Sequence, residues 1–391
     1  MIHTSIANIQ PAKKDNKYIT SEYINFLKYL ILEELFRIET QHSRTFGQIV
    51  ICLDNAKGGY WRKDFFKGYK SGRKEGREES DIDYNEIFYH IDIMKENLKN
   101  YSPYKVVDVQ KAEADDIMLV LAREYHKTEK ILIYSPDKDM IQAQRDNDTV
   151  FQYSALTKKW LVPENKHDNM DQWIMEHIVM GDDADAVPRV IDGTEFSENF
   201  LQFLKINDCD ITEVKEFKES KIDKSFITSY NVYCTNKKGE PTELDIYKKE
   251  RFGASNISKI LSGEWELKQR KKILENKKAI LKQKKESIKE INKEIKELEI
   301  IDDTEENRFN NWLNSHPLYK EHYDRNFVLV MEEGIPKDIK DKIKQEYITS
   351  CDKYDDKKFK EYLIMYNLEK LQLTMPNSYV RTELTLDDFT W

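Results

Sequence analysis

Ile49-Val50-Ile51-Cys52-Leu53, closed by Asp54, decides the fold class. Five consecutive apolar residues read as a strand buried on both faces, as in a parallel sheet. Working outward, apolar residues recur at helical spacing from Ile19 to Thr40 and again from Ile82 to Leu98. Tyr104 to Val109 reads as a second strand and Ala112 to Tyr125 as a helix. Ile131 to Tyr134 and Thr149 to Tyr153 read as further strands, and Met170 to Met180 as a helix stopped by Gly181. Strands alternating with helices predict an α/β fold, a mostly parallel sheet flanked by helices. Beyond about residue 190 the strand signal fades, and a helical pattern is expected.

Composition narrows the function classes. Of 391 residues, 39% are hydrophobic and 35% charged, with a mean hydropathy of −0.76. The 22 Tyr, 17 Phe and 6 Trp supply core material, which excludes a fully disordered chain. No apolar run approaches the roughly 18 residues of a membrane span, so no membrane partner is expected. The polar stretch Asn8–Lys17 leaves no secretory apolar region. Cys52, Cys209, Cys234 and Cys351 are widely spaced, without a CxxC pair or zinc-spaced histidines. A reducing cytoplasm is expected, with neither disulfides nor structural zinc. The net charge of −9 argues against a nucleic-acid binder unless the acids are gathered at a metal site.

They do gather in the sequence. Asp54 follows the first strand; Glu113, Asp115 and Asp116 open the helix after the second; Asp137 and Asp139 follow the third; Asp182 and Asp185 follow the Met170–Met180 helix. Groups just past the carboxyl ends of parallel strands converge on one crevice. Unneutralised, such a cluster forces carboxyl pKa values up, and all-oxygen ligation selects Mg²⁺ or Mn²⁺. Two ions about 3.5–4 Å apart suit in-line phosphodiester hydrolysis. Asp-x-Asp recurs by chance in a chain with 72 acidic residues, and helix N-termini favour acids anyway. Three clusters at consecutive strand ends outweigh that bland reading.

Two basic segments complete the pattern. WRKDFFKGYKSGRKEGR (Trp61–Arg77) places Arg62, Lys63, Lys67, Lys70, Arg73, Lys74 and Arg77 where they can neutralise phosphates, with Tyr69 able to stack on a base. The plainer alternative is a surface turn around Gly68, Gly72 and Gly76, with Trp61 in the core. From Lys268 to Ile301, Leu274, Leu281, Ile288 and Ile295 repeat every seven residues. An unbroken helix there would reach about 50 Å. Eleven Lys or Arg and three Glu lie between Lys268 and Lys293. The segment reads either as a solvated coiled-coil-like arm or as a contact to a phosphate backbone.

LDNAKGGYWRKDF (Leu53–Phe65), Tyr69-Lys70-x-x-Arg73, Arg77–Ser80, EADD (Glu113–Asp116), SPDKD (Ser135–Asp139) and GDDADAVP (Gly181–Pro188) together resemble the 5′-nucleases of the flap-endonuclease superfamily. The resemblance is good over roughly residues 45–190 and weaker around Asn326–Ile343. It implies a PIN-like catalytic domain over 1–190 and a helical DNA-binding domain over 191–266 and 302–375. The Lys-rich arm, 267–301, would be inserted in that domain, and 376–391 would be a tail. It also implies that the eight acids are catalytic metal ligands for two Mg²⁺ ions, with Mn²⁺ able to substitute. Lys70 and Arg73 would contact the scissile phosphate region, Tyr69 the terminal nucleotide, and residues around 71–100 would form an arch. The expected activity is 5′→3′ exonuclease and flap endonuclease, acting on RNA primers and 5′ DNA flaps in lagging-strand replication. Its partners would be branched or nicked DNA and RNA–DNA hybrid with a free 5′ end. A phage-encoded monomer in the host cytoplasm is expected.

Two departures stand out. Ala186–Gly193 lacks the family's glycine pattern, so no K⁺ site is expected. The family's first-strand Asp has no counterpart, since Ile2 or His3 takes its place. Either an upstream segment completes that strand, or the site has one ligand fewer. The second possibility leaves a rival reading, a catalytically weakened protein that binds branched DNA. A small-molecule phosphohydrolase built on Asp137 and Asp139 would leave the basic segments unexplained. Leu384–Trp391, acidic with aromatic ends, suits a pocket on a sliding clamp or single-strand-binding protein, or on its own core.

Overall fold

The strand expected at Ile49–Leu53 forms β1 (Val50–Leu53), preceded by helix α1 (Ser21–Phe46). The computed structural model describes residues 21–79, 84–145, 148–162, 170–191, 194–195, 210–219, 226–235, 241–246, 254–283, 287–299, 303–350 and 356–365. The first-strand position at Ile2 or His3 and the tail 376–391 lie outside them. The chain divides into two compact units, Met1–Met170 with Met331–Trp391, and Asp171–Val330.

In the first unit, β1 leads through the short helices α2 (Trp61–Phe65) and α3 (Gly72–Glu78) to α4 (Tyr84–Tyr101) and β2 (Lys105–Asp108). Helix α5 (Ala114–Tyr125), β3 (Ile131–Tyr134), a 3-10 turn (Lys138–Gln144), β4 (Val150–Ser154) and β5 (Lys159–Leu161) follow. β1 pairs parallel with β2, β3 parallel with β4, and β4 antiparallel with β5. The expected mixed α/β, mostly parallel architecture is therefore present. Among the described residues, β1–β2 and β3–β4–β5 form two ladders.

Helix periodicity explains the packing. Leu27, Ile31, Leu32, Leu35 and Phe36 form the buried stripe of α1, facing Ile87, Ile91, Met94 and Leu98 of α4. The second half of the expected arch, 84–101, is thus a core helix. Phe359, Tyr362 and Leu363 of α13 (Asp356–Met365; numbered in chain order with the helices below) close the same core. A smaller cluster joins Leu119 and Ala122 of α5 to Ile133, Met140 and Val150 beneath the acidic turn.

The second unit starts in α6 (Met170–Met180). β6 (Thr194–Glu195), β7 (Asp210–Glu219), β8 (Phe226–Thr235) and β9 (Pro241–Ile246) form an antiparallel sheet in the order β6-β8-β7, with β9 also paired to β8. This corrects the helical expectation for 191–266: Val214, Val232 and Leu244 share one register across the sheet. The long connections and scattered charges hid a period-two pattern. Helices resume with α7 (Ala254–Leu261), α8 (Glu264–Gln283), α9 (Lys289–Lys296), α10 (Glu305–Asn314) and α11 (Pro317–Val330). The first unit then receives α12 (Lys337–Thr349) and α13.

The Lys-rich arm is also corrected. It is two helices, α8 and α9, that fold against each other, and Arg270 Nη1 donates to the Glu299 carbonyl at 3.2 Å. Leu274 and Ile291 are buried while Ile273 is 64% exposed. The apolar repeat is therefore used within the chain, over a 20-residue α8 of about 30 Å rather than a 50 Å rod.

α6 stops at Gly181 for a steric reason. Its φ is +61°, and a Cβ there would lie 2.5 Å from the Val187 carbonyl oxygen. Asn326 of α11, fully buried, donates to the carbonyls of Ile178 at 2.9 Å and Pro188 at 2.7 Å, pinning both ends of this turn. Gly181→Ala should therefore lower the unfolding midpoint in urea, by an amount equivalent to about 1–2 kcal/mol or more from the left-handed backbone alone. Unchanged stability would show that the turn can relax without strain.

Candidate active site

β1 delivers Asp54 to the mouth of α5. Asn55 N–H donates to the Ala112 carbonyl and Lys111 N–H to the Asn55 carbonyl, both at 3.0 Å, which ties the loop after β1 to the approach of α5. The exposed Asp54 carboxylate then accepts from the Ala114 N–H at 2.9 Å, at the electropositive end of that helix.

EADD performs two separate tasks. Glu113 is the N-cap of α5, with extended backbone, and forms a reciprocal capping box with Asp116, whose Oδ2 accepts from the Glu113 N–H at 2.9 Å. Both carboxylates are buried, Asp116 completely. Trp61 Nε1 donates to Asp116 Oδ2 at 2.9 Å. Arg62 Nη1 lies 2.8 Å from Glu113 Oε2 and 2.7 Å from Asp116 Oδ1, with its guanidinium over the Trp61 ring. The Tyr69 hydroxyl donates to Glu113 at 2.9 Å, and Lys70 Nζ pairs with the other Glu113 oxygen. Lys70 adopts φ +51°, bending the chain so that Tyr69 and Lys70 both reach Glu113.

Asp115 turns the other way. Burial, then the charges of Asp137, Asp54 and Glu113, push its carboxyl up to about 8 despite the opposing Lys70 ammonium. Asp137 caps the 3-10 turn, its Oδ1 accepting from the Asp139 N–H at 2.9 Å. The buried Gln152 amide holds that turn from below, donating to the carbonyls of Asp137 at 2.6 Å and Ser135 at 2.9 Å. Asp54, Asp115 and Asp137 thus share one electrostatic neighbourhood, with Asp139 beginning the adjacent turn. Among the described residues, no three His, Cys, Asp or Glu side chains stand at metal-holding distances. The donors are nevertheless all oxygen, and their mutual repulsion is what a hard divalent cation would offset.

Asp182 and Asp185 belong to the second unit. They lie in the turn closed by the Asp182–Val187 bridge, where Asp182 Oδ1 accepts from Ala184 N–H at 2.7 Å and Asp185 N–H at 3.4 Å.

The basic segment divides as well. Lys63, Lys67, Arg73 and Arg77 are exposed, and Arg77 lies over the Phe88 ring; the side chain of Lys74 lies outside the described residues. Arg62 and Tyr69, expected along a nucleic-acid path, are each only 4% exposed. Their polar groups are needed to compensate two buried carboxylates, which explains the difference. Trp61, expected at most as core material, is a specific hydrogen-bond donor. Asn326 and Gln152 also escaped sequence reasoning, since nothing local marks an amide that will brace a distant turn.

Residues 11–177 match the family model described as the 5′-3′ exonuclease, N-terminal resolvase-like domain. The resemblance to the 5′-nucleases therefore holds over this segment. Ribonuclease H of Enterobacteria phage T4 is 35% identical over 191 residues, covering 48% of this chain and 59% of that protein. A 5′-3′ exonuclease of Buchnera aphidicola is 32% identical over 148 residues, covering 37% and 48%. The chain thus spans about half to three fifths of the length of these relatives. A solved T5 5′-exonuclease with zinc bound covers 82% of this chain and 89% of its own, at 12% identity and a TM-score of 0.42.

Arg62→Leu should destabilise the first unit by about 3–5 kcal/mol, because it strands two buried carboxylates. Trp61→Phe, which removes one donor, should cost about 1–3 kcal/mol. Urea unfolding of each variant measures both. If Arg62→Leu unfolds like the parent, Arg62 does not carry the two buried carboxylates.

Proposed function

We propose that this protein is a divalent-metal-dependent 5′-nuclease that hydrolyses phosphodiester bonds from, or near, a free 5′ end. The carrying observation is the gathering of Asp54, Asp115 and Asp137 at the ends of β1, α5 and β3, where burial and then the neighbouring acids push Asp115 up to about 8. The comparisons support the same class of chemistry.

Asp54, Asp115 and Asp137, with Asp139, would hold Mg²⁺, or Mn²⁺ in its place. Two ions are proposed. Asp182 and Asp185 are kept as further ligands on the resemblance alone. When bound, the metal supplies charge neutralisation at the phosphate and a more acidic water. Glu113 and Asp116 take a supporting role in this reading: locked to Arg62, they fix the first turn of α5 and thereby the direction of Asp115. Lys70, anchored on Glu113 at the rim of the acidic cluster, is placed to offset charge developing on phosphoryl oxygens. Arg73, Lys63, Lys67 and Arg77 would follow the backbone of the substrate, and their contribution would be screened by salt. The proposed substrates are branched or nicked DNA and RNA–DNA hybrids, as in primer and 5′-flap removal during replication. Among the described residues no helix is long and apolar enough to cross a membrane.

A labelled 5′-flap duplex incubated with Mg²⁺ should yield short 5′ products, and EDTA should abolish them. Asp137→Asn should slow cleavage by on the order of 100-fold or more while leaving flap binding within a few fold. Equal loss of binding and cleavage would assign Asp137 to the fold. Independently of activity, Mg²⁺ should raise the thermal midpoint of the parent protein more than that of Asp115→Asn. An identical increase in both would remove Asp115 from the metal site.

A further inference from the structure

Side-chain amides hold the acidic turn by its alternate backbone carbonyls. Gln152 takes those of Ser135 and Asp137. Gln142, also buried, takes that of Asp139, its Nε2 donating at 2.8 Å. The other end of the Gln142 amide leaves the turn. Its Oε1 accepts from the Glu332 N–H at 2.8 Å, 190 residues further along the chain. An amide whose donor and acceptor both meet main-chain groups is fixed in orientation, because turning it over loses both bonds.

Glu332 stands where the chain re-enters the first unit, just after Met331. That returning segment is firmly seated. Met331, Ile335, Ile339 and Ile343 are buried, and the 3-10 turn Glu332–Gly334 and α12 both pack against α5. Lys340 Nζ lies 2.7 Å from Glu332 Oε1. A second link across the same junction, Arg145 with Glu333 at 3.7 Å, is partly open to solvent and contributes little. The Gln142 bond, shielded from water, is the more specific tie.

We propose that Gln142 is a positioning residue for the acidic turn, tying Asp139 to the returning segment at Glu332. The geometry that Asp137 and Asp139 offer a divalent cation is then set from a distant part of the chain. Gln142 acts through the backbone of Asp139, whose N–H in turn donates to Asp137 Oδ1 at 2.9 Å. Groups that orient ligands govern metal affinity even though they never meet the metal. The inference rests on the divalent-metal reading and adds to it the segment on which the turn is braced.

Two substitutions break this bond from opposite ends. Gln142→Met keeps the side-chain length and removes the amide. Glu332→Pro removes the main-chain donor. Met331 is extended, with φ −88° and ψ 147°, and Glu332 is the first residue of its 3-10 turn, so proline is tolerated there. Glu332→Ala is its reference, since it also lacks the carboxylate that meets Lys340 but keeps the N–H. In the full chain, without substrate, Mg²⁺ affinity is read from the rise of the melting midpoint with Mg²⁺ concentration. Gln142→Met should bind Mg²⁺ about tenfold more weakly than the parent, and Glu332→Pro about tenfold more weakly than Glu332→Ala. Combining Gln142→Met with Glu332→Pro should add little to either, since both remove one bond. Melting midpoints that fall with no change in Mg²⁺ affinity would make Gln142 purely structural and overturn the proposal. Additive losses would also overturn it, by showing that the two residues act separately. A parent protein that Mg²⁺ does not stabilise is a different failure, which removes the metal reading and this inference with it.

Discussion

The buried guanidinium of Arg62 is the interaction on which the site depends. It meets both buried carboxylates, Glu113 and Asp116, at 2.8 and 2.7 Å, and its contacts are supplemented by Trp61, Tyr69 and Lys70. Replacing such a network by apolar residues of the same shape need not weaken a fold, whereas removing one member leaves a bare charge. Its value here is directional. Residues three apart on a helix share a face. With Glu113 and Asp116 drawn inward onto Arg62, Asp115 is left facing Asp54 and Asp137. One short acidic motif therefore supplies both the anchor and the acid that faces Asp54 and Asp137.

These carboxylates experience opposite electrostatics within a single turn. The inward pair is compensated by fixed positive charge. The other, Asp115, resists ionisation because of burial first and then the charges of Asp137, Asp54 and Glu113, with Lys70 as the opposing influence. Such polarity suits a protein that must hold an acidic surface open for a mobile counter-charge while keeping its scaffold charged and rigid. Lys70 belongs to both halves, paired with Glu113 and acting on Asp115.

Much of this was legible in the sequence where short-range rules dominate. Apolar runs located β1, β2, β3 and β4, helical periodicity located α1, α4 and α5, and acids after strands marked Asp54, Asp115 and Asp137, which share one electrostatic neighbourhood. Failures occurred where a residue's role is decided by a distant partner. Arg62 and Lys63 look alike in sequence, yet only Arg62 meets Glu113 and Asp116 across the fold. The heptad over Lys268–Ile301 correctly signalled a helix-pairing face but could not say that the pair lies within one chain. β7 to β9 were missed because their apolar positions alternate with Glu, Lys and Asn in stretches that also satisfy a loose helical pattern.

The division of labour in EADD also accounts for a feature of the basic segment. A helix cap made of two carboxylates is unusual because buried acids are costly, and it demands cations from a second element. That demand draws Trp61, Arg62, Tyr69 and Lys70 onto α5 and so fixes where the intervening Lys63 and Lys67 and the following Arg73 and Arg77 emerge. Because Arg62 and Tyr69 are spent inside, the exposed cations emerge on the solvent side of a braced loop, next to the acidic cluster. In the proposed function, an anionic polymer tracking those cations would be led toward the cluster of Asp54, Asp137 and Asp115, whose crowded acids oppose its approach. On that proposal, a divalent cation held by these carboxylates would neutralise the cluster and couple substrate docking to its own binding.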